Sequence, residues 1–143
     1  MKKICFVCLG NICRSVMAEY IMKSKIKSLG LENNYYITSR AISDEESGND
    51  IYPPAKEELT KHNISYERHY ATQLLSSDYE KFDYFICMDD SNIKNINYIF
   101  NDTDKKVFKL LENDIADPWY TRDFTKTYNE LDKGIDKLIE NTK

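Results

Sequence analysis

The chain lacks a surplus of positive charge, a long apolar run and a cluster of metal-ligating residues, and each absence removes a class of function. Lys and Arg total 20 against 24 Asp and Glu, a formal net charge of −4. That composition offers no basic stripe for nucleic acid or for an anionic membrane surface. No apolar segment approaches the roughly 20 residues that cross a bilayer. Met1-Lys2-Lys3 followed by Ile4 to Leu9 resembles a signal peptide only superficially, because Gly10, Asn11 and Arg14 interrupt the apolar core. The four cysteines, Cys5, Cys8, Cys13 and Cys87, and the two histidines, His62 and His69, show no tetrahedral metal spacing. Repeats, low-complexity tracts and linkers are missing as well. The expectation is one domain spanning residues 1–143, in the cytoplasm with free thiols, using neither metal nor cofactor.

Short apolar runs alternate with helical patterns, which predicts an α/β fold with a parallel sheet covered by helices on both faces. The first strand is expected at about Lys3 to Val7. A helix follows from Arg14 to Ser28, with Met17, Ala18, Ile21 and Met22 facing the core and Gly30 as its stop. Tyr35 to Thr38 reads as the second strand and Ser39 to Asp50 as a long polar loop. Pro53-Pro54 open a helix ending near His62. Ser77 and Asp78 are expected to cap a short helix, Asp83 to Met88 to form a strand feeding a helix near Asp89, and Lys106 to Leu110 to form the last strand. Phe124, Tyr128, Leu131, Ile135, Leu138 and Ile139 make an amphipathic terminal helix.

The most informative segment is Val7-Cys8-Leu9-Gly10-Asn11-Ile12-Cys13-Arg14-Ser15. A buried strand turning into a helix at this point gathers free backbone N–H groups and a positive helix end around Cys8. Such a field favours a bound oxyanion and a nucleophilic thiolate together. The plain alternative is a small apolar residue at a strand end. Ile115-Ala116-Asp117-Pro118-Trp119-Tyr120 places a carboxyl group beside a rigid proline and two aromatics. It reads either as an acid next to an aryl-binding wall or as an Asp-Pro turn with surface aromatics.

Together, C-L-G-N-I-C-R-S and D-P-W-Y resemble the low-molecular-weight protein tyrosine phosphatases, and Phe82 to Asp89 followed by Ser91-Asn92 is similar to the family's central strand. The resemblance implies a flavodoxin-like three-layer sandwich with a four-stranded parallel sheet, and metal-independent hydrolysis of phosphotyrosine through a cysteinyl-phosphate. It casts Cys8 as nucleophile, Arg14 as the phosphoryl grip and Asp117 as proton donor and then base. Leu9, Gly10, Asn11, Ile12, Cys13 and Ser15 would bind the phosphoryl group, with Trp119 and Tyr120 beside the ring. Ser39 and His69 would partner Asn11 in a supporting network. Cys13 is either a redox partner that traps Cys8 as a disulfide or a buried small residue. Partners would be phosphotyrosine-containing proteins, with the enzyme a monomer or weak dimer.

Three positions depart from the family pattern: Val16 stands where many relatives have proline, Glu45 where they place an aromatic wall, and Thr72 where they often have arginine. The acidic stretch Asp44, Glu45, Glu46 and Asp50 is either a selectivity filter against acidic peptides or a solvated loop. A protein-arginine phosphatase, whose loop usually has threonine at Ile12, and a cysteine phosphocarrier, which needs no acid at Asp117, are the competing readings. An arsenate reductase lacks its relay, since Cys87 is the only cysteine in the second half of the chain.

Overall fold

The computed structural model describes residues 1–143. Strands β1 (Lys2–Cys8), β2 (Tyr35–Ala41), β3 (Tyr84–Cys87) and β4 (Val107–Lys109) form a parallel sheet in the order β2-β1-β3-β4. The helices are α1 (Arg14–Ser28), α2 (Pro53–Lys61), α3 (Asp90–Ile96), α4 (Pro118–Thr121) and α5 (Phe124–Thr142), with short 3-10 turns at Glu32–Asn34 and Ser76–Lys81. This is the expected flavodoxin-like arrangement.

Strand β1 is buried on both faces, as a central parallel strand must be. Ile4, Phe6 and Cys8 pack with α1, α2 and α5, while Cys5 and Val7 pack with Leu74, Tyr79, Phe82, Phe85 and Phe100 on the other side. The period-2 alternation therefore sends successive side chains into two separate cores. Cys5 and Cys87 are packing residues in the second core, as their sequence context suggests. Leu131, Ile135 and Ile139 lay α5 against the first core. A Cβ on Gly134 would lie 2.6 Å from Leu110 Cγ, so the bare backbone there lets β4's exit approach α5.

Because β1 connects to β2 on one side and β3 to β4 on the other, the order of connection reverses between β1 and β3, and open α/β sheets form their crevice at the carboxyl ends of strands at such a point. Cys8 ends β1 at that place. The Ile115 N–H donates to the Met88 carbonyl at 3.0 Å, which draws the segment after β4 to the same crevice.

Several boundaries differ from expectation. Strand β2 runs on to Ala41, since Ser39, Arg40 and Ala41 pair in register with Phe6, Val7 and Cys8. Polar side chains suggested a loop, but Ser39 finds a buried partner and Arg40 lies over the Phe82 ring at 5.8 Å. Tertiary contacts thus override strand propensity. Asp78 accepts from the Leu75 N–H at 2.9 Å, whereas no capping bond involves Ser77. The D-P-W-Y segment is both a turn and a helix start: Asp117 caps α4 by accepting from the Trp119 N–H at 3.0 Å.

Candidate active site

The segment between β1 and α1 wraps around the Cys8 sulfur. Asn11 takes the left-handed conformation (φ 61°), which Asn tolerates better than most residues and which turns the chain back on itself. The Asn11 N–H then donates to Cys8 Sγ at 3.3 Å, and the Cys8 thiol donates to Ser15 Oγ at 3.0 Å. Asn11 Nδ2 also donates to Ser15 Oγ, at 2.8 Å, so the Ser15 hydroxyl proton is left free to point at sulfur once the thiol ionises. The backbone N–H groups of Gly10, Ile12, Cys13, Arg14 and Ser15 make no hydrogen bond within the protein. An anion seated in the loop would meet those donors and the start of α1 together.

Arg14, the first residue of α1, is buried to 3% exposure. Its Nη1 donates to Asp89 Oδ2 at 2.8 Å and to the Ile115 carbonyl at 2.7 Å. Asp89 in turn caps α3 by accepting from the Asn92 N–H at 2.7 Å. With Nη1 committed, the Nε and Nη2 edge of the guanidinium remains, a fork that matches two oxygens of a phosphoryl group. Asp117 Oδ2 lies 3.6 Å from Arg14 Nη2.

These groups open onto a cleft of about 190 Å³. Cys8, Leu9, Gly10, Asn11, Ile12, Cys13 and Arg14 line its floor, and Asp117, Trp119 and Tyr120 line one side. Ser43, Glu45 and Glu46 complete its rim. Cys13 is a separate free thiol, its pKa pushed up by burial and then by the neighbouring Cys8. No group of three or more His, Cys, Asp or Glu side chains is arranged to hold a metal ion.

The supporting network is only partly the expected one. His69 Nε2 donates to the Asn11 carbonyl at 2.7 Å, as a neutral ring protonated on that nitrogen does. The second side-chain contact of Asn11 is the Thr72 N–H, which donates to Oδ1 at 3.1 Å. Ser39 does not partner Asn11. It donates to Glu19 Oε1 at 2.6 Å, because the inward face of β2 is covered by α1, which carries Glu19. Asp50 is not a free rim charge either. Burial works against its carboxylate, but Lys56 Nζ at 2.6 Å and the His69 and Ile51 N–H groups outweigh this and hold it well below the usual carboxylate range.

Asp89, Glu19 and the Thr72 backbone are the participants that the sequence reading missed. Asp89 had a signal, since an Asp ending a strand before Ser-Asn is a helix cap at the carboxyl edge of the sheet. Glu19 had none, because a glutamate on a helix normally faces water.

The comparisons with known proteins agree with one another. The family model described as "Low molecular weight phosphotyrosine protein phosphatase" matches residues 3–143. A Staphylococcus saprophyticus protein named low molecular weight protein-tyrosine-phosphatase PtpA is 37% identical, over 97% of this chain and 92% of its own. Its Staphylococcus aureus counterpart is 35% identical, over 98% and 93%. Among solved structures, SP-PTP, a low molecular weight protein tyrosine phosphatase from Streptococcus pyogenes, superposes with a TM-score of 0.91 at 40% identity, covering 100% of this chain and 94% of its own. YfkJ from Bacillus subtilis superposes with a TM-score of 0.95 at 32% identity, covering 99% and 94%.

Burial lowers the His69 pKa below its ordinary value of 6.5, against the Asn11 carbonyl and Glu19, which favour the cation. A lowered native value means that the unfolded chain takes up the proton first as the solution is acidified. The stability contributed by the neutral ring is therefore complete above about pH 6.5 and is lost as pH falls through the lowered native value. Urea unfolding at about pH 7.5 and about pH 5 should show that His69→Gln loses less stability on acidification than the wild type; equal losses would mean that His69 does not carry this linkage. Matched along almost its whole length by sequence and by fold, the chain belongs to the low-molecular-weight protein tyrosine phosphatase family and is a phosphatase.

Proposed function

We propose that Cys8, Arg14 and Asp117 carry out phosphotyrosine hydrolysis in two half-reactions. The observation that supports this reading is that the Cys8 sulfur, the free edge of Arg14 and the Asp117 carboxyl face one cleft flanked by Trp119 and Tyr120. In the first step the Cys8 thiolate attacks phosphorus. The S–P bond forms as the P–O bond to the tyrosyl ring breaks, and protonated Asp117 gives its proton to the leaving oxygen. In the second, Asp117 as carboxylate takes a proton from water, the water oxygen bonds to phosphorus, and the S–P bond breaks to return the thiolate. Arg14 and the loop N–H groups hold the equatorial oxygens throughout, as fixed donors aimed at developing charge. Ser15 stabilises the thiolate released in the second step.

Ile12, Trp119 and Tyr120 give the cleft an apolar character suited to an aryl group, which supports phosphotyrosine over phosphoarginine. Four free thiols fit action in a reducing compartment, hence on cytoplasmic phosphotyrosine proteins. No helix is long and apolar enough to cross a membrane. The Glu45 carboxylate has no ion pair at the cleft rim, while Glu46 accepts from Asn49 Nδ2 at 2.7 Å, so the rim favours basic residues beside the phosphotyrosine.

With phosphotyrosine and phosphoarginine peptides offered side by side in reductant and chelator, the wild type should release phosphate mainly from phosphotyrosine. Cys8→Ser should abolish turnover, and Asp117→Ala should lower kcat/KM by roughly 10²- to 10⁴-fold. Faster release from phosphoarginine would overturn the substrate assignment. Stable phosphorylation without turnover would favour a phosphocarrier. Phosphotyrosine peptides flanked by lysine should outpace those flanked by glutamate, and Glu45→Gln should narrow the gap; equal rates in the wild type would show the rim to be a solvated loop.

A further inference from the structure

Tyr52 takes no part in the chemistry above, yet it touches both loops that do. It stands immediately before α2, and its N–H donates to the Ile12 carbonyl at 2.9 Å, inside the loop that surrounds the Cys8 sulfur. Its ring meets the Trp119 indole with centroids 4.7 Å apart and planes tilted by 52°. The Tyr52 hydroxyl accepts from Arg122 Nη1 at 2.7 Å. The Arg122 guanidinium lies 5.6 Å from the Tyr52 ring and 5.8 Å from the Trp119 ring, which places one cation against both aromatics. Arg122 ends α4 in the left-handed region, at φ 63°, a conformation that persists only where its surroundings hold it.

The other end of this assembly is the acid. The Trp119 N–H that donates to Asp117 Oδ1 at 3.0 Å fixes one carboxyl oxygen, and the second faces Arg14 Nη2 at 3.6 Å. Helix α4 has only four residues, of which Pro118 alone is buried while Trp119 and Tyr120 are 44% and 76% exposed, so α4 has little buried surface of its own to hold it in place. A continuous path thus leads from the Ile12 carbonyl through Tyr52 and Trp119 to the Asp117 carboxyl.

We propose that Tyr52 is a positioning residue that clamps the Asp117–Arg122 segment against the Cys8–Ser15 loop and sets where Asp117 delivers its proton. The inference rests on Asp117 as the proton donor. A clamp of this kind acts on the leaving group and leaves phosphoryl binding alone, which gives it a signature that general loss of structure lacks. Protonation matters most when the departing phenolate is strongly basic, so phenyl phosphate needs it more than p-nitrophenyl phosphate does.

The test compares kcat/KM for these two substrates in the wild type, Asp117→Ala, Tyr52→Leu and Tyr52→Phe. Asp117→Ala sets the full shift in the ratio. Tyr52→Leu should lower kcat/KM for phenyl phosphate by roughly tenfold more than for p-nitrophenyl phosphate. Tyr52→Phe, which loses only the hydrogen bond from Arg122 and keeps the ring, should shift the ratio the same way but less. Trp119 is the single tryptophan of the chain, so its emission should move to longer wavelength in Tyr52→Leu as the indole loses its cover. Should Tyr52→Leu fail to fold, Tyr52→Phe combined with Arg122→Gln must show the same ratio shift. An equal fall for both substrates, or an unchanged ratio, in the Tyr52 variants while Asp117→Ala shifts it overturns this inference alone. An unchanged ratio in Asp117→Ala overturns the proton-donor role and this inference together.

Discussion

A cation buried at the positive end of a helix is the constraint on which the site depends. Arg14 opens α1, where the helix end already disfavours positive charge, and it is nearly inaccessible to water. Burial works against the charged guanidinium, but Cys8, Asp89 and Asp117 outweigh it and raise its pKa. An unpaired ion at such a depth would cost several kcal/mol. The fold avoids that cost by bringing three anionic or thiol groups from the ends of β1 and β3 and from the segment after β4 to one place. The same convergence leaves one edge of the guanidinium and a set of backbone donors unsatisfied, so the electrostatic demand that shapes the loop is also a demand for a bound oxyanion.

The loop's shape is held from behind. Left-handed Asn11 is fixed by Ser15, by the Thr72 N–H and by His69, and the His69 segment is fixed by Asp50. Each bond crosses between elements: α1, the segment after α2, and the rim loop. Donors held this way are aimed before any oxyanion arrives, so seating one would not require them to reorganise. Glu19 and Ser39 extend the arrangement to β2 by pairing a buried carboxylate with a buried hydroxyl, and Lys23 meets the other Glu19 oxygen at 2.6 Å.

The sequence showed the strands and the cleft floor because both are local. Ile4 to Val7 reads as a buried strand from its apolar run alone, and Cys8 through Ser15 carries its chemistry within eight residues. Asp117 could be paired with that loop only through the family resemblance, since the two lie more than a hundred positions apart and meet through the sheet. Ser39 was misplaced because its hydroxyl suggested a loop, whereas the buried partner that lets it stay in a strand sits on another helix. Asp50 is the opposite case: in sequence its charge has no visible partner, and the fold places Lys56 and Arg68 beside it. Tyr52 has no local signal, for its role lies in contacts with Ile12, Trp119 and Arg122, three segments that only the folded chain brings together.

The most direct test of this account is whether phosphate passes through the Cys8 sulfur. In Asp117→Ala mixed with p-nitrophenyl phosphate, the first step needs little protonation while the second lacks its base, so the intermediate should accumulate. Rapid-quench mass spectrometry should find one phosphoryl group per chain, on Cys8. Phosphate on any other side chain, or continued turnover with none on the protein, would contradict the mechanism.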